Sequence, residues 1–557
     1  MHEKRITLSI QNIFQQKSYL FLSALLGAGI FCLIYGTAIL DPTYVDWLYS
    51  GGDLSQHYCG WLFYRNDRWA FPFGVFQSLS YPDSMSIVFT DSIPIFAILF
   101  KLLSPILPTN FQYFGWWGIL CFMMQGALGA FLIRKYTKRD ITACAGSLLF
   151  VLSPIYIRRM FAHTALAGQW ILLLALIPLI YYDETFSDDR RAAIYWWGIG
   201  ALTASVHIYF IPMCGCILCG FLIKHIWEKK RVQNAVLILG GYLGSAALAL
   251  FFLGAFSVKT EAAAGGLGIY SFNLNAFFNS REWSTWFPSL PDYTWEQTEG
   301  FAYLGFGVMV LCFAAVATGI VLWVKKILGR APKSSIAAYT FIICALVFVA
   351  MSPVATIGSR MIYTLELWGP IEKLWSVFRS CGRFIWPVVY LIIIAAFAVL
   401  SRWKKKRALL VLLLLCTGLQ IGEMKHMIVQ RRETFGTRVT YESDLKDQAW
   451  EMIGKSDVIR HIVFGTEKES VYSFAEYASK YGMTLSDFAF SRRSEEETAS
   501  LLKEQLDAPD RTELFVFLPS DPLLEQYDFQ YYFIDGFVVG YVEKLEGLEP
   551  YELDKNE

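Results

Sequence analysis

Charge is scarce in this chain. Of 557 residues, 17% are Asp, Glu, Lys or Arg, where a soluble protein carries about 25%. With 55% hydrophobic residues and the apolar ones clumped, that deficit excludes a wholly soluble fold. A disulfide framework is missing too: the eleven cysteines lie mostly in apolar runs and none follows Cys416, a pattern unlike that of stapled secreted domains. "CGCILC" places Cys214, Cys216 and Cys219 inside one apolar segment with no His or carboxylate nearby. A structural zinc site needs four ligands, so these read as small packing residues. Lys plus Arg balance Asp plus Glu at 48 each, and nothing points to a nucleic-acid partner. No cofactor is expected and no metal-ligand set is indicated.

What is abundant is apolar sequence, with 17% aromatics and a mean hydropathy of +0.40. A membrane helix needs roughly 20 mostly apolar residues. Runs of that kind fall at 18–40, 112–133, 141–157, 169–182, 192–207, 209–225, 233–255, 301–324, 336–352, 384–401 and 408–422. They predict an all-α polytopic membrane domain of about eleven spans over 18–422, after a basic amphipathic N-terminus at 1–17. The first run lacks a small-residue cleavage site and reads as a retained helix. "RKYTKR" (134–139), "KHIWEKKR" (224–231), "KKILGRAPK" (325–333) and "RWKKKR" (402–407) share one side when the spans alternate. Cytoplasmic loops retain Lys and Arg, so this assigns the N-terminus inside and the chain beyond 422 outside. The long outer loops are then 41–111, 256–300 and 353–383.

Within the first loop, "SIPIFAILFKLLSPILP" (92–108) is apolar but short, with Lys101 at its middle; it reads as an interfacial or re-entrant helix. From 423 to 557 the composition is that of a soluble domain. Strand-like runs at 458–464, 484–490, 513–518, 529–534 and 537–542 alternate with helical patterns at 473–481 and 495–506, which predicts a small α/β domain on the outer face. It carries no phosphate-binding Gly loop and no nucleophile motif. The Gly-rich "AAAGGLG" (262–268) lacks the strand–loop–helix context and the Lys of a phosphate cradle and reads as a flexible lid.

Candidate chemistry lies where the chain departs from its own charge rule. Arg158, Arg159, Arg379 and Arg383 fall at predicted outer membrane edges. If Arg379 and Arg383 share a helix, they share a face, and guanidinium forks suit a phosphate. The competing readings are lipid headgroup contact or pairing with a loop carboxylate. Asp53, in "GGDLSQHYCGW", follows two glycines and stands four residues before His57; it is a base beside an orienting imidazole or a turn residue. Asp91 in "TDSIP" is a second carboxylate or a helix cap, and Asp46, Asp67 and Asp83 lie in the same loop. His163 and His207 stand at outer ends of spans, as cavity-lining groups or as packed ones. The spans carry almost no ionisable residue near their centres, which argues against the proton and ion relays of coupled transporters.

An uncleaved first span, a long first outer loop with an early acid, interfacial helices, many spans and a C-terminal outer domain together resemble the GT-C superfamily of membrane glycosyltransferases. "GGDLSQHYCGW", "FPFG", "TDSIP", "FQYFGWWG", "SFNLNAFFN", "EGFAYLGFG" and "RSCGRFIWP" are similar, more closely, to a family of bacterial GT-C-like integral membrane proteins with no assigned reaction; that likeness covers about 18–425. The resemblance implies a bacterial cytoplasmic-membrane enzyme that moves a sugar from a polyprenyl-phosphate donor to a cell-envelope glycan or lipid acceptor. It implies Asp53 as general base, although Asp53 stands alone where the superfamily often has an acidic pair. Basic residues would hold the donor phosphate, with Arg158, Arg159, Arg379 and Arg383 in position by placement. The alternatives are a non-catalytic scaffold or a polymer- or lipid-export component, and then a transporter or flippase. The topology is testable: thiol labelling from outside should reach cysteines engineered near residues 270 and 500 but not near 330. External labelling near 330 would overturn the span count.

Overall fold

The computed structural model describes residues 2–258, 266–327, 329, 331–488 and 495–553, with side chains from residue 17 onward and only the backbone at residue 495. The 262–265 part of the expected Gly-rich lid lies outside the described residues. The chain divides into two compact units. The first comprises 1–42, 113–248 and 263–438; the second gathers 43–112, 249–262 and 439–557.

The first unit is helical. Among the described residues of the whole chain, seven helices are long and apolar enough to cross a membrane. They are Lys17–Tyr35, Phe114–Thr137, Phe210–Lys229, Val232–Phe252, Phe306–Val324, Lys333–Met351 and Cys381–Leu400. An eighth is added if Lys406–Glu423 and Lys425–Gly436, bent by 63° at Met424, count as one. The expected count of eleven is not confirmed: other expected runs form shorter or more charged helices. The 141–157 run breaks at Leu152–Ser153, because Pro154 opens a new short helix, Pro154–Arg159, and the residue before a proline disfavours the helical region. The 169–182 run yields only Trp170–Ile180, and 192–207 becomes Asp189–Val206, whose first turn carries Asp189, Arg190 and Arg191. The helical unit also continues past 422, through the Lys425–Gly436 helix to Arg438.

Small residues let these helices approach, as expected where lipid removes the hydrophobic drive. A side chain added at Gly27 would meet the Phe122 carbonyl at 2.2 Å, and one at Gly126 the Ser23 carbonyl at 2.4 Å. Cys214, Cys216 and Cys219 are free thiols on the Phe210–Lys229 helix.

The second unit contains a five-stranded sheet ordered Thr484–Leu485, His461–Phe464, Glu513–Phe517, Phe537–Tyr541, Gln530–Ile534. The first three strands run parallel and the last two join antiparallel. The helices Val471–Tyr481 and Glu495–Asp507 make the crossovers that parallel pairing requires. Asp535 and Gly536, both at positive φ, close the last hairpin, the conformation a two-residue turn demands of its central residues. Leu502 and Leu506 pack with Phe515, Phe517, Phe529 and Val538 in the core. The strand expected over 484–490 pairs only at Thr484–Leu485, and residues 489–490 lie outside the described ones.

In the same unit the first loop folds around the helix Gly52–Asn66. Asp67 ends it and accepts the backbone N–H groups of Arg68 (2.7 Å), Gln77 (2.7 Å) and Ser78 (3.1 Å). The interfacial segment is the helix Pro94–Leu103, ten residues and too short to span. Its Lys101 is buried with Nζ 4.1 Å from the Tyr64 ring centre and 4.7 Å from that of Trp69, a cation–π site. Burial pulls the Lys101 pKa down to about 8, against the nearby Asp67 charge.

Candidate functional site

In the helical unit, two of the arginines at unexpected edges, Arg159 and Arg383, converge on one carboxylate, Glu299. Arg159 closes the Pro154–Arg159 helix, and Arg383 lies in the short 3-10 helix Cys381–Ile385. Arg159 Nη1 donates to Glu299 Oε1 at 3.1 Å, its Nη2 lies 3.1 Å from Oε2, and Nη2 also donates to the Glu299 carbonyl at 3.2 Å. Arg383 Nε donates to Oε2 at 2.6 Å. His163 stands between the two, its Nε2 3.0 Å from Arg383 Nη2 and its Nδ1 3.4 Å from Arg159 Nη1. A neutral imidazole has one acceptor nitrogen, so it takes one of these donors at a time. The side chains of Arg159, Arg383 and Glu299 are 4%, 8% and 14% exposed. Burial by itself would raise the Glu299 pKa; the charges of Arg159 and Arg383 overcome it and hold the carboxyl well below its ordinary range.

Two glycines make this possible. A side chain on Gly382 would come 2.4 Å from the Gly300 Cα, and one on Gly300 would come 2.5 Å from the Ser271 carbonyl. Without them the backbones beside Glu299 and Arg383 would stand apart. Gly382 N–H donates to the Tyr270 carbonyl at 2.9 Å. Buried Gln297 donates to Ser271 Oγ (3.0 Å) and Thr356 Oγ1 (2.7 Å), and accepts from Asn273 (3.0 Å). The stretches "SFNLNAFFN", "EGFAYLGFG" and "RSCGRFIWP" therefore form one knot.

Arg379 and Arg383 do not share a helical face. Arg379 lies in the link after the helix Gly369–Ser376, with its guanidinium 5.6 Å from the Tyr270 ring centre. His207 ends the Asp189–Val206 helix, and its Nδ1 accepts the Tyr209 N–H at 3.1 Å. The Tyr209 ring in turn lies 5.0 Å from the Arg383 guanidinium. Arg158 donates to Thr298 Oγ1 and stacks 4.8 Å from Phe301. Burial first, then Arg159, Arg281 and Arg431, push its pKa down to about 9 against the pull of Glu299.

Arg281, which sequence reasoning passed over, joins this group. Its side chain is 10% exposed, with Nη2 2.7 Å from Asp292 Oδ1. Nη2 is engaged by this carboxylate, while Nε is buried without a hydrogen-bond acceptor. Arg281 and Glu282 both hold positive φ, 43° and 69°, a conformation that costs a non-glycine residue about 1–3 kcal/mol and clusters at functional sites. Four guanidiniums, on Arg158, Arg159, Arg281 and Arg383, thus face two carboxylates, Glu299 and Asp292. Phe278, three residues before Arg281 in sequence, lines with Phe287, Leu290, Phe306, Met309 and Phe313 most of an apolar groove of about 480 Å³.

The first-loop candidates belong to the second unit. Gly51 and Gly52 take φ of 93° and 64°, and Asp53 sits exposed in the first turn of Gly52–Asn66. Tyr472 OH donates to the Gly52 carbonyl at 2.9 Å. His57, on the same helix, is buried, with Nε2 3.6 Å from Asp91 Oδ2. The residue at the capping position of the following helix is Ile93, two residues after Asp91. Asp91 and Ile93 both take φ of 54°, unusual for a β-branched residue above all. Gly60 admits this loop, because a side chain there would meet Thr90 Cβ at 2.5 Å. Ser92 Oγ donates to the His57 carbonyl at 2.6 Å. Among the described residues, no three His, Cys, Asp or Glu side chains are grouped to hold a metal ion.

A family model described as "Domain of unknown function (DUF6311)" matches residues 24–425, and one described as "DUF6311 C-terminal domain" matches 449–542. No curated protein matches the chain. Among solved structures, the Archaeoglobus fulgidus oligosaccharyltransferase, crystallised with a disulfide-tethered acceptor peptide containing the NVT sequon, is similar at 12% identity and a TM-score of 0.45, over 97% of this chain and 77% of that one.

The Glu299 cluster makes a direct stability prediction. Glu299→Gln should cost about 3–5 kcal/mol, the usual penalty for leaving buried partners unpaired, read as a lower melting temperature in detergent. Because the folded pKa is depressed, the stabilisation is full above the ordinary carboxylate pKa of about 4.3. It fades as pH falls from there toward the folded value. An unchanged melting temperature would mean that the cluster contributes little to the fold.

Proposed function

We propose a function for this chain, which belongs to the DUF6311 family: a membrane glycosyltransferase that takes a sugar from a polyprenyl-phosphate carrier and passes it to a cell-envelope glycan or lipid acceptor at the outer face of the bacterial cytoplasmic membrane. The observation that carries the reading is the excess of positive charge where the guanidiniums of Arg158, Arg159, Arg281 and Arg383 meet only Glu299 and Asp292. Glu299 already engages Arg159 and Arg383, so those two shape the site. Arg281, paired with Asp292, keeps a buried Nε without an acceptor, and Arg158 is crowded by like charge. A phosphate ester relieves both, and an attached apolar chain suits the neighbouring groove. Arg379, on the Tyr270 ring, is the further candidate for the phosphate.

In this reading, the acceptor hydroxyl attacks the anomeric carbon and the carbon–oxygen bond to the carrier phosphate breaks. The hydroxyl proton passes to a carboxylate, and the polyprenyl phosphate departs with the bonding electrons, stabilised by guanidinium charge. A positioned base contributes about 10²–10⁴-fold in rate, and charge stabilisation of the leaving group adds to it. Asp53 is the first base candidate, by its place in the loop. Asp91 is the second, with His57 beside it and a strained backbone beneath it. His163 and His207 act on the arginines, one between Arg159 and Arg383 and the other through Tyr209.

A non-catalytic lipid-binding scaffold would use the same arginines and groove, so the test separates binding from transfer. Arg158→Ala or Arg281→Ala should weaken binding of a polyprenyl-phosphate sugar roughly ten- to a hundredfold, the equivalent of about 1.5–3 kcal/mol for a lost charge-assisted hydrogen bond. Asp53→Asn and Asp91→Asn should leave binding intact, and the one that is the base should abolish transfer. Binding that survives the double arginine substitution would reject the phosphate site. Binding without transfer in the parent protein, across lipid-linked sugars, would favour the scaffold.

A further inference from the structure

Between the helices Lys333–Met351 and Cys381–Leu400, the chain forms a two-stranded ribbon, Val354–Ile357 with Arg360–Thr364, and then the helix Gly369–Ser376. The inner strand is docked: the Thr356 carbonyl accepts the Leu274 N–H at 3.0 Å. The outer strand is exposed at all five residues. Met361, Ile362, Tyr363, Trp368, Ile371 and Leu374 are all exposed, Trp368 and Leu374 at 72% each. A contiguous apolar surface of this kind is rarely left to water, and an apolar edge strand invites pairing unless it is covered.

We infer that this ribbon and helix lie in the headgroup–acyl boundary of the bilayer, as an interfacial anchor on the face where the 266–305 loop emerges. Both flanks are continuous with helices long and apolar enough to span. The level is set by a ring contact: Trp375 packs on Phe348 with centroids 5.5 Å apart. Phe348 lies three residues before the end of its helix at Met351, about 4.5 Å along the axis at 1.5 Å per residue. The Gly369–Ser376 helix therefore docks at the mouth of a span. Trp368, Ile371 and Leu374 recur at helical spacing, while Glu372 and Lys373 supply polar groups between them, the arrangement of a helix lying in the interface plane. Trp and Tyr are the residues enriched at that depth, and Arg360 and Lys373 suit lipid phosphates. The anchor ends at Arg379, so it ties the arginine knot to the membrane surface. The inference is independent of the reaction proposed above.

The test is photocrosslinking of the full chain in nanodiscs of phosphatidylethanolamine and phosphatidylglycerol. p-Benzoylphenylalanine replaces Trp368, or Ile371 in a second variant should the first fail to fold. The same probe at Phe313, exposed on the Phe306–Val324 helix, and at Phe533, exposed on the C-terminal sheet, sets the two reference levels. Lipid adducts at a yield comparable to Phe313 and several-fold above Phe533 are expected. Crosslinks to a second copy, or a lipid yield no higher than that of Phe533, would overturn the anchor.

Discussion

The structure of the helical unit depends on one carboxylate held between two guanidiniums. Glu299 joins Arg159, 140 residues away in sequence, to Arg383, 84 residues away. Three segments that enter the unit separately are thereby drawn to one point. Buried charges are expensive, and a pair survives only when its geometry and remaining hydrogen bonds are satisfied. That requirement reaches outward: Gly300 and Gly382 must be bare for the backbones to touch, and Gln297 must hold Ser271 and Thr356 in place. The same contact determines which charge is left over. With Arg159 and Arg383 engaged by Glu299 and Arg281 paired with Asp292, what is left over is the charge of Arg158 and the buried Nε of Arg281, and the proposed donor-phosphate site moves there.

Much of the architecture was legible because it is local. Apolar runs mark helices wherever nothing interrupts them, and strand-like runs alternating with helical patterns mark the C-terminal sheet. The expected spans that are not found as long apolar helices each have a physical cause. Pro154 divides one run, a charged first turn occupies another, and the run at 169–182 is simply too short once folded. Hydropathy averages over these breaks, whereas the backbone cannot. The candidate site was legible in its residue types but not in its pairings. Arg159 and Arg383 stood out by their position, and pairing with a loop carboxylate was among the readings considered. Nothing local identifies Glu299 as that partner, although it opens the motif "EGFAYLGFG". Arg281 gave no signal at all, since its distinction lies in a left-handed backbone, a tertiary pairing with Asp292 and a buried Nε without an acceptor.

The first loop teaches a related lesson about spacing. Asp53 and His57 are four apart on one helix, as the pattern suggests, but the partner measured beside His57 is Asp91, brought in from the "TDSIP" turn because Gly60 leaves room for it. Spacing along a helix identifies residues that face one way. Which carboxylate arrives from elsewhere is decided by tertiary packing, and here a glycine decides it. This is why Asp91 enters the proposed chemistry on equal terms with Asp53.

The central claim is that the excess of positive charge around Arg158 and Arg281 receives a lipid-linked phosphate. The most direct measurement is a cryo-EM structure in nanodiscs containing a polyprenyl-phosphate sugar. The account predicts phosphate density within hydrogen-bonding distance of Arg158 and Arg281, with the isoprenoid chain along Phe278, Phe287 and Phe313. A phosphate bound away from both arginines, or an empty site at saturating lipid, would contradict it.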